Sequence, residues 1–338
     1  MKKIVFYING IYNGGTEIAL LSLIMVLDKN KYDIHIISEN LEKSNTTIVK
    51  RMKELAKVTA LEKMEADVLI FCNSPKNETN EILKNIRFKK SYFWFHYFSK
   101  SQLDFLAKVN KEKIVDNIIV VCNTVKENIL KLEMYRDIED NIISIYNILQ
   151  IDYILEKSKE KVEIENSTNL NLITVARLCK EKGFYRMKHL IDCMNDKGID
   201  FKWHILGCAS NEADHKEIDS LINCYPGKVI MYGYQENPYK YISKCDYLVL
   251  LSDEENMPYV VVEAKALGIP CILTNFDSAY EQVVDMKNGI ILEKNDLTKY
   301  EDRINDILFN KEKFKNEVMK YEYSNSASID KWDELLDV

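Results

Sequence analysis

Short apolar runs alternate with helical patterns along both halves of the chain. In the first half the runs are Lys3–Ile8, Tyr32–Ser38, Asp67–Cys72 and Asn117–Cys122, and a helical pattern covers Thr16–Leu27. In the second half they are Leu170–Ala176, Lys202–Leu206, Val229–Met231, Tyr247–Leu251 and Cys271–Thr274. Apolar runs separated by helical stretches are typical of βαβ units and parallel sheets. The pattern predicts an α/β protein with two doubly wound, Rossmann-like domains.

A polar stretch rich in Glu, Lys and Asn, Glu156–Thr168, lies between the two series of strands. The 338 residues also exceed what one α/β core usually contains. We therefore predict domains at residues 1–155 and 156–318, and a C-terminal helix within 319–338 that packs back on the first domain. Two such domains are expected to face each other across a cleft at the carboxyl ends of their strands.

Composition excludes several classes of protein. A hydrophobic fraction of 46% supports sizeable cores, and the longest apolar stretch, Ile18–Leu27, is far shorter than the ~20 residues of a bilayer span. No signal peptide is visible. The eight cysteines include no CxxC pair, so we expect reduced core thiols in a cytoplasmic protein. No HExxH or DxD sequence occurs, and we expect neither a metal nor another cofactor.

Charge is distributed unevenly. The net charge of −7 argues against nucleic acid as a partner. The first 150 residues nevertheless carry 22 basic and 19 acidic residues, against 24 and 34 in the remainder. The segment Lys84–Lys113 has eight basic and two acidic residues with aromatic residues between them. It suits an anionic membrane surface, although Tyr92–Phe95 also reads as a buried strand and a basic run is commonly a solvated face.

The only glycines of the first 150 residues, Gly10, Gly14 and Gly15, lie in the loop after the first strand. Glycines there let the backbone approach a ligand, and the following helix, with Thr16 as a candidate cap, offers free N–H groups to an anion. A tight turn is the simpler alternative. The Gly-x3-Gly-Gly spacing departs from the GxGxxG of dinucleotide-binding proteins.

Arg177 ends a strand of the second domain, and Lys182 follows in the same loop, just before Gly183. Arginine is rare in this chain, with six against forty lysines. An Arg beside a Lys at a strand's carboxyl end can hold a diphosphate by charge-assisted hydrogen bonds without metal. The alternative is a surface loop in which the Arg forms an ion pair.

The segment Ser252–Pro270 follows another strand, with Pro258 suited to a helix start and Gly268 to its end. Glu255 and Glu263 are eight residues apart, or ~12 Å along a helix if both lie on it. That is wider than a glycosidase carboxylate pair, and it suits two separate hydroxyl-bearing parts of a long ligand. The helix N-terminus at Met257–Tyr259 could receive a phosphate. Alternatively, Glu255 is a charge in the first helical turn and Glu263 lies on the polar side of an amphipathic helix.

Taken in order, these motifs resemble the large retaining glycosyltransferase family four, of GT-B fold. The similar segments are Gly14–Glu17 (Gly-Gly-x-Glu), Val121–Val125, Ile145–Asn147 with Asp152, Val175–Phe184, Ile205–Gly207, Gly233, the E-x7-E pair Glu255 and Glu263, Glu281, and Asn288–Gly289. Together they cover nearly the whole chain. The resemblance implies an enzyme that transfers a sugar from a nucleotide diphosphate donor, UDP being favoured, to an acceptor hydroxyl with retention and without metal.

The resemblance also implies a role for each matching residue. Arg177 and Lys182 would neutralise the diphosphate, Glu255 would hold the donor sugar, and Glu263 the ribose. Further implied donor contacts are Gly14, Gly15, Gly207, Tyr232, Tyr234, Asn256, Met257, Pro258 and Tyr259, with the base at Tyr232–Tyr234. His96 lies where the family has a histidine that touches the donor sugar, although a histidine among aromatic residues is also common in a core.

One departure concerns the sugar pocket, because Asn256 replaces the family's usual Gly after the first glutamate and Met257 its aromatic residue. The donor sugar, base and acceptor stay open, and we expect an acceptor of bacterial capsule, lipopolysaccharide or another envelope glycan, lipid-linked or not. Two other functions remain alternatives: a non-catalytic GT-B partner subunit, and a nucleotide-dependent oxidoreductase, which the fold alone would allow.

Overall fold

A computed structural model describes residues 1–12, 14–44, 46–74, 79–167, 169–320 and 323–337. In these residues every strand pairing is parallel, and the strands form two sheets. The first contains β1 Lys2–Ile8, β2 Tyr32–Ser38, β3 Lys57–Thr59, β4 Met64–Phe71, β5 Ile86–Phe95, β6 Asn117–Val120 and β7 Ile142–Ser144. The second contains β8 Leu170–Val175, β9 Phe201–Leu206, β10 Val229–Gly233, β11 Tyr247–Leu250, β12 Cys271–Thr274 and β13 Gly289–Leu292.

Helices connect the strands, as the alternating pattern predicts. They are α1 Gly15–Val26, α2 Thr46–Leu55, α3 Thr79–Asn85, α4 Lys100–Glu112, α5 Asn123–Lys131, α6 Ile151–Ser158, α7 Phe184–Asp196, α8 Glu212–Cys224, α9 Tyr239–Ile242, α10 Tyr259–Ala266, α11 Ala279–Gln282, α12 Tyr300–Phe309, α13 Lys311–Met319 and α14 Ser326–Leu336. Short 3₁₀ segments lie at Leu41–Lys43, Glu133–Asn141, Lys180–Lys182 and Leu297–Lys299.

Both sheets are doubly wound. The strand orders are β3-β2-β1-β4-β5-β6-β7 and β10-β9-β8-β11-β12-β13, so the winding reverses between β1 and β4 and between β8 and β11. Ligands of such sheets bind outside the carboxyl ends of the strands at this switch point. The loops after β1, β4, β8 and β11 are therefore the places to look for a site.

The chain divides into two compact units, one of residues 1–149 with 324–338 and one of residues 150–323. The division after Leu149 lies six residues before the predicted one, because α6 packs against α9 and α10 of the second unit. The Tyr153 and Tyr239 rings, 6.2 Å apart, form part of this packing. Residues 319–323, predicted to belong with the last helix, are also part of the second unit.

Helix α14 is part of the first unit, where it packs on the sheet. Trp332 is buried with its ring 4.8 Å from that of Trp94, and the Tyr92 hydroxyl donates to the Leu335 carbonyl at 2.9 Å. The Lys331 ammonium donates to the Ser144 carbonyl at 2.9 Å. The hydrophobic side of this helix thus completes the core of the first unit.

Six of the eight cysteines are buried, as expected for core thiols, whereas Cys208 and Cys224 are exposed. The expectation of a buried core position is therefore wrong for these two. Cys208 lies in the loop after β9, and Cys224 is the last residue of α8.

Candidate active site

The loops after β8 and β11 meet at the switch point of the second unit. Gly183 has φ +73°, and a Cβ there would lie 2.1 Å from the Leu251 carbonyl oxygen. The Asp253 amide donates to the Glu181 carbonyl at 2.8 Å. Only glycine permits this approach of the two backbones, so the loop that carries Arg177 and Lys182 is held against the loop that carries Glu255.

Lys182 and Glu255, two of the predicted charged residues, form an ion pair between these loops. Their side chains are 19% and 15% exposed. Ser252 Oγ donates to Glu255 Oε1 at 2.7 Å, and Ser278 Oγ donates to the Glu255 carbonyl at 3.2 Å. The carboxylate is thereby fixed in orientation as well as in position.

Arg177 is exposed, and its guanidinium forms no hydrogen bond or ion pair with any residue that the structure describes. Its charge is nevertheless close to that of Lys182. A backbone hydrogen bond and the Cys179 thiol lower the pKa of Glu181, and the positive charges of Arg177 and Lys182 lower it further. The loop therefore presents two neighbouring cations, one held by a carboxylate and one facing solvent.

Arg186 also links these two loops. It was not identified from the sequence. It is 1% exposed, and its guanidinium donates to the carbonyls of Leu251 at 3.0 Å and Lys294 at 2.9 Å and pairs with Asp253. A buried cation needs such partners to offset its desolvation. A signal was available, because Arg186 falls on the apolar stripe of α7 beside Phe184, Met187 and Leu190.

Helix α10 begins at Tyr259, after Pro258 in an extended conformation, and ends just before Gly268 at φ +75°. The predicted helix limits are therefore correct. The condition that both Glu255 and Glu263 lie on one helix is not met, since Glu255 precedes Pro258 and lies in the loop. The spacing along a helix does not apply to this pair. The segment that leads into α10 is partly buried at each of four candidate donor contacts: Asn256, Met257, Pro258 and Tyr259.

Glu263 lies on α10 and is partly buried. Burial raises its pKa to about 7, against the opposing effect of the hydrogen bond that Tyr239 Oη donates to Oε1 at 3.0 Å. A carboxyl group with this pKa changes its charge near neutral pH. Tyr239 is a further residue that sequence reasoning missed, since nothing in its local pattern distinguishes it from the other tyrosines.

The remaining candidates of the second unit occupy two neighbouring strand ends. Gly207 follows β9 with φ +138°, and a Cβ there would lie 1.9 Å from the Ala176 carbonyl oxygen, so glycine is a structural necessity at this position. Tyr232, on β10, packs its ring 5.0 Å from that of Tyr241. Tyr234 is 56% exposed. Of the two tyrosines, Tyr234 therefore has the more accessible ring.

Gly14 and Gly15 lie at the start of α1 in the first unit. The helix begins at Gly15 with Gly14 as its N-cap, so the expectation that Thr16 is the cap is wrong. The Gly14 amide donates to Glu17 Oε2 at 3.1 Å. Burial raises the pKa of Glu17, while backbone hydrogen bonds oppose that rise. A Cβ at Gly15 would meet nothing within 4 Å, so that position is open to a ligand.

His96 follows β5 at the carboxyl edge of the first sheet. It is buried, with its ring 4.5 Å from that of Trp94, and burial lowers its pKa to about 3. The imidazole is therefore neutral at physiological pH. It can hydrogen-bond to a ligand but supplies no positive charge.

The basic segment Lys84–Lys113 is only partly an exposed basic and aromatic surface. Tyr92–Phe95 is buried as the end of β5, which agrees with its reading as a strand. Lys89 pairs with Asp67 at 2.6 Å, and Lys90 lies 3.6 Å from Asp116. Much of its aromatic content thus contributes to the core rather than to a surface.

In the part of the chain that the structure describes, no three or more His, Cys, Asp or Glu side chains lie together as a metal site would require. None of the helices described there has both the length and the apolar character of a membrane-spanning helix.

Comparison with known proteins identifies the family. The family profile described as glycosyl transferases group 1 matches residues 156–324, half of the chain. The chain belongs to this family. It is a glycosyltransferase, and the predicted GT-B fold with two Rossmann-like domains is confirmed. Family membership also removes the support for the oxidoreductase alternative.

Relatives and solved structures agree with this assignment. An uncharacterized glycosyltransferase of Haemophilus influenzae is 25% identical over 99% of this chain and 100% of its own length. The capsular polysaccharide biosynthesis glycosyltransferase CapM of Staphylococcus aureus is 25% identical over 57% of this chain and 52% of its own. A glycosyltransferase from Rickettsia africae has a TM-score of 0.78 at 17% identity, covering 99% of this chain and 98% of that one. Anabaena HepE, solved with UDP and glucose, has a TM-score of 0.75 at 14% identity over both whole chains.

Proposed function

We propose that this glycosyltransferase moves a hexosyl or N-acetylhexosaminyl group from a UDP-sugar to an acceptor hydroxyl, with retention and without metal. The observation that carries the proposal is the set of charges at the second switch point, where Arg177 and the Lys182–Glu255 pair lie on loops in direct contact. The resemblance to HepE, solved with UDP, supports UDP as the nucleotide. CapM, a capsular glycosyltransferase, supports an acceptor in capsule, lipopolysaccharide or another envelope glycan.

In this proposal the fixed charges act on the leaving group. As the bond from the anomeric carbon to the phosphate oxygen breaks, its electron pair adds charge to the diphosphate. Arg177, Lys182 and the amides at the start of α10 then stabilise the transition state more than the substrate. The acceptor oxygen bonds to the anomeric carbon on the same face, and its proton passes to the departing phosphate oxygen. No protein base is required for this step.

Glu255 and Glu263 accept hydrogen bonds from hydroxyl groups of the donor in this scheme. Glu255 would hold the sugar, since Ser252 and Lys182 orient its carboxylate. Glu263 would hold the ribose, since Tyr239 occupies only one of its oxygens. The donor roles proposed for Gly14, Gly15, Gly207, Tyr232, Tyr234 and His96 depend on the family resemblance.

The first test is a thermal-shift screen of the purified protein against UDP-, GDP- and ADP-sugars with EDTA throughout. A ligand that binds only the folded form raises Tm with its concentration. We expect a UDP-sugar to stabilise the protein in EDTA. Stabilisation that requires Mg²⁺ or Mn²⁺ would contradict the metal-free proposal. In a separate activity assay, a chain that neither transfers nor hydrolyses any donor would favour the non-catalytic partner subunit.

The second test is the Arg177→Ala variant. If Arg177 neutralises the diphosphate, kcat should fall by about 10²-fold to 10³-fold, the usual effect of removing one group that stabilises a developing anion. Lys180→Ala is the matched control, because Lys180 is exposed in the same loop and has no proposed role. Near-normal turnover of Arg177→Ala would exclude the role proposed for this residue.

Membrane contact is a separate proposal. We propose that the exposed basic residues of Lys84–Lys113 hold the protein at an anionic membrane that carries the acceptor. Liposomes with anionic lipid should retain the protein at low salt and release it at high salt, where charges are screened. Failure to bind such liposomes at low salt would contradict this proposal without affecting the transfer reaction.

A further inference from the structure

Glu39 lies at the carboxyl edge of the first sheet, beside that unit's switch point. It directly follows β2, and the register pairs Ser38 with Ile8, so Glu39 and Asn9 leave the sheet side by side. On its other side β1 is paired with β4, and the winding of the sheet reverses between these two strands. This is the edge of the first unit at which a doubly wound sheet binds its ligand.

One oxygen of the Glu39 carboxylate is held from within the core. The Tyr7 hydroxyl donates to Glu39 Oε1 and also lies 3.1 Å from Asn9 Oδ1. Tyr7 is fully buried, and burial followed by the Glu39 interaction raises its pKa far above the usual range. Tyr7 therefore remains a protonated donor, and it fixes the carboxylate in one orientation.

The other oxygen, Oε2, is buried and accepts no hydrogen bond from any residue that the structure describes. Neighbouring donors point elsewhere. Both the Asn40 amide and its side-chain nitrogen donate to the Asn9 carbonyl, at 2.9 and 3.0 Å, and the Asn9 amide donates to Asn73 Oδ1 at 2.9 Å. A buried carboxylate oxygen without a donor is costly, and in a native structure it calls for an external one.

The chemistry of this position restricts the external donor. A phosphate would be repelled by the carboxylate, and among the described residues Glu39 belongs to no group of three or more His, Cys, Asp or Glu side chains that could hold a metal ion. A carbohydrate hydroxyl fits, because it donates one hydrogen bond and carries no charge. Resting on the proposed function, we propose that Glu39 binds a non-reacting hydroxyl of the carbohydrate acceptor and that Tyr7 positions it.

The test is acceptor kinetics of the full chain with the UDP-sugar that stabilises it most and a panel of methyl glycosides as acceptors. Glu39→Gln should raise KM for the acceptor by about tenfold or more, the loss of one hydrogen bond to a charged group. The Kd of the UDP-sugar should stay within about twofold. Tyr7→Phe should raise the acceptor KM less, since it only frees the orientation of the carboxylate.

Glu42→Gln is the matched control, because Glu42 is exposed three residues further along and should retain wild-type KM. An unchanged acceptor KM in Glu39→Gln would overturn the proposal and leave Oε2 to an ordered water. An equal loss of acceptor and UDP-sugar binding would also overturn it, because it would indicate a structural role.

A second measurement keeps this inference distinct from the transfer reaction. Saturation-transfer NMR can detect binding of the same methyl glycosides without turnover. Binding to the wild type that weakens in Glu39→Gln would support the site even in a chain that transfers no sugar. Equal binding to both proteins, or binding to neither, would overturn it.

Discussion

If Glu263 binds the donor as proposed, donor binding should depend on pH. The pKa of Glu263 is raised to about 7, so the side chain is mostly neutral at pH 6 and mostly ionised at pH 8. If only the carboxylate holds the ribose, the apparent Kd is the intrinsic Kd multiplied by 1 + 10^(pKa − pH). The donor should then bind about tenfold more weakly at pH 6 than at pH 8, a difference of about 1.4 kcal/mol.

Calorimetric titration with a UDP-sugar between pH 5.5 and 8.5 measures this dependence. A UDP-sugar is preferable to UDP, because its diphosphate diester has no proton to lose in this range. Glu263→Gln should bind more weakly than the wild type at pH 8 and show no such slope. Tyr239→Phe should move the midpoint upward, since the hydrogen bond from Tyr239 lowers the pKa of Glu263. Affinity that is flat with pH in the wild type, or a slope that persists in Glu263→Gln, would refute the reasoning.

Three further predictions concern the stability of the second unit, each measured by urea unfolding. Glu263 binds its proton more tightly in the folded protein, so the free energy of unfolding should fall as pH rises from 4.5 to 7. The fall should be at most roughly 3 kcal/mol, and this pH dependence should be absent in Glu263→Gln. Arg186→Ala should lower the free energy of unfolding by roughly 3 kcal/mol and weaken UDP-sugar binding. A loss below about 1 kcal/mol would contradict the conclusion that Arg186 holds the loops together. Gly207→Ala should lower the free energy of unfolding more than Gly198→Ala does, because Gly198 has a positive φ but open space around it. Equal losses of stability would show that the backbone near Ala176 shifts to make room for the added Cβ.

The sequence predicted the strands that are buried on both faces. Runs rich in apolar residues such as Tyr32–Ser38 and Cys271–Thr274 agree with β2 and β12 to the residue, because strands between two layers of helices are predominantly apolar. The edge strands Lys57–Thr59, Ile142–Ser144 and Gly289–Leu292 were missed. Each has only three or four residues and pairs with one neighbour, so it leaves little pattern of its own.

The candidate site was predictable where its residues follow strands. Arg177 stands out as a charged residue directly after an apolar run, Glu255 lies in the loop after another such run, and the doubly wound fold brings the two loops together. The contacts of Arg186 and Tyr239 were not predictable in the same way. Their partners are the Leu251 carbonyl and Glu263, which lie 65 and 24 residues away and become neighbours only in the folded sheet.

The first unit is built from two separate segments, residues 1–149 and 324–338, with residues 150–323 inserted between them. A ribosome delivers the amino-terminal sheet before α14, so Trp94 cannot meet Trp332 until the whole second unit has been synthesised. The amino-terminal half therefore spends most of translation without its last helix, at risk of aggregation and proteolysis. A premature stop near residue 324 should leave the second unit folded and should damage the half of the protein that was made first.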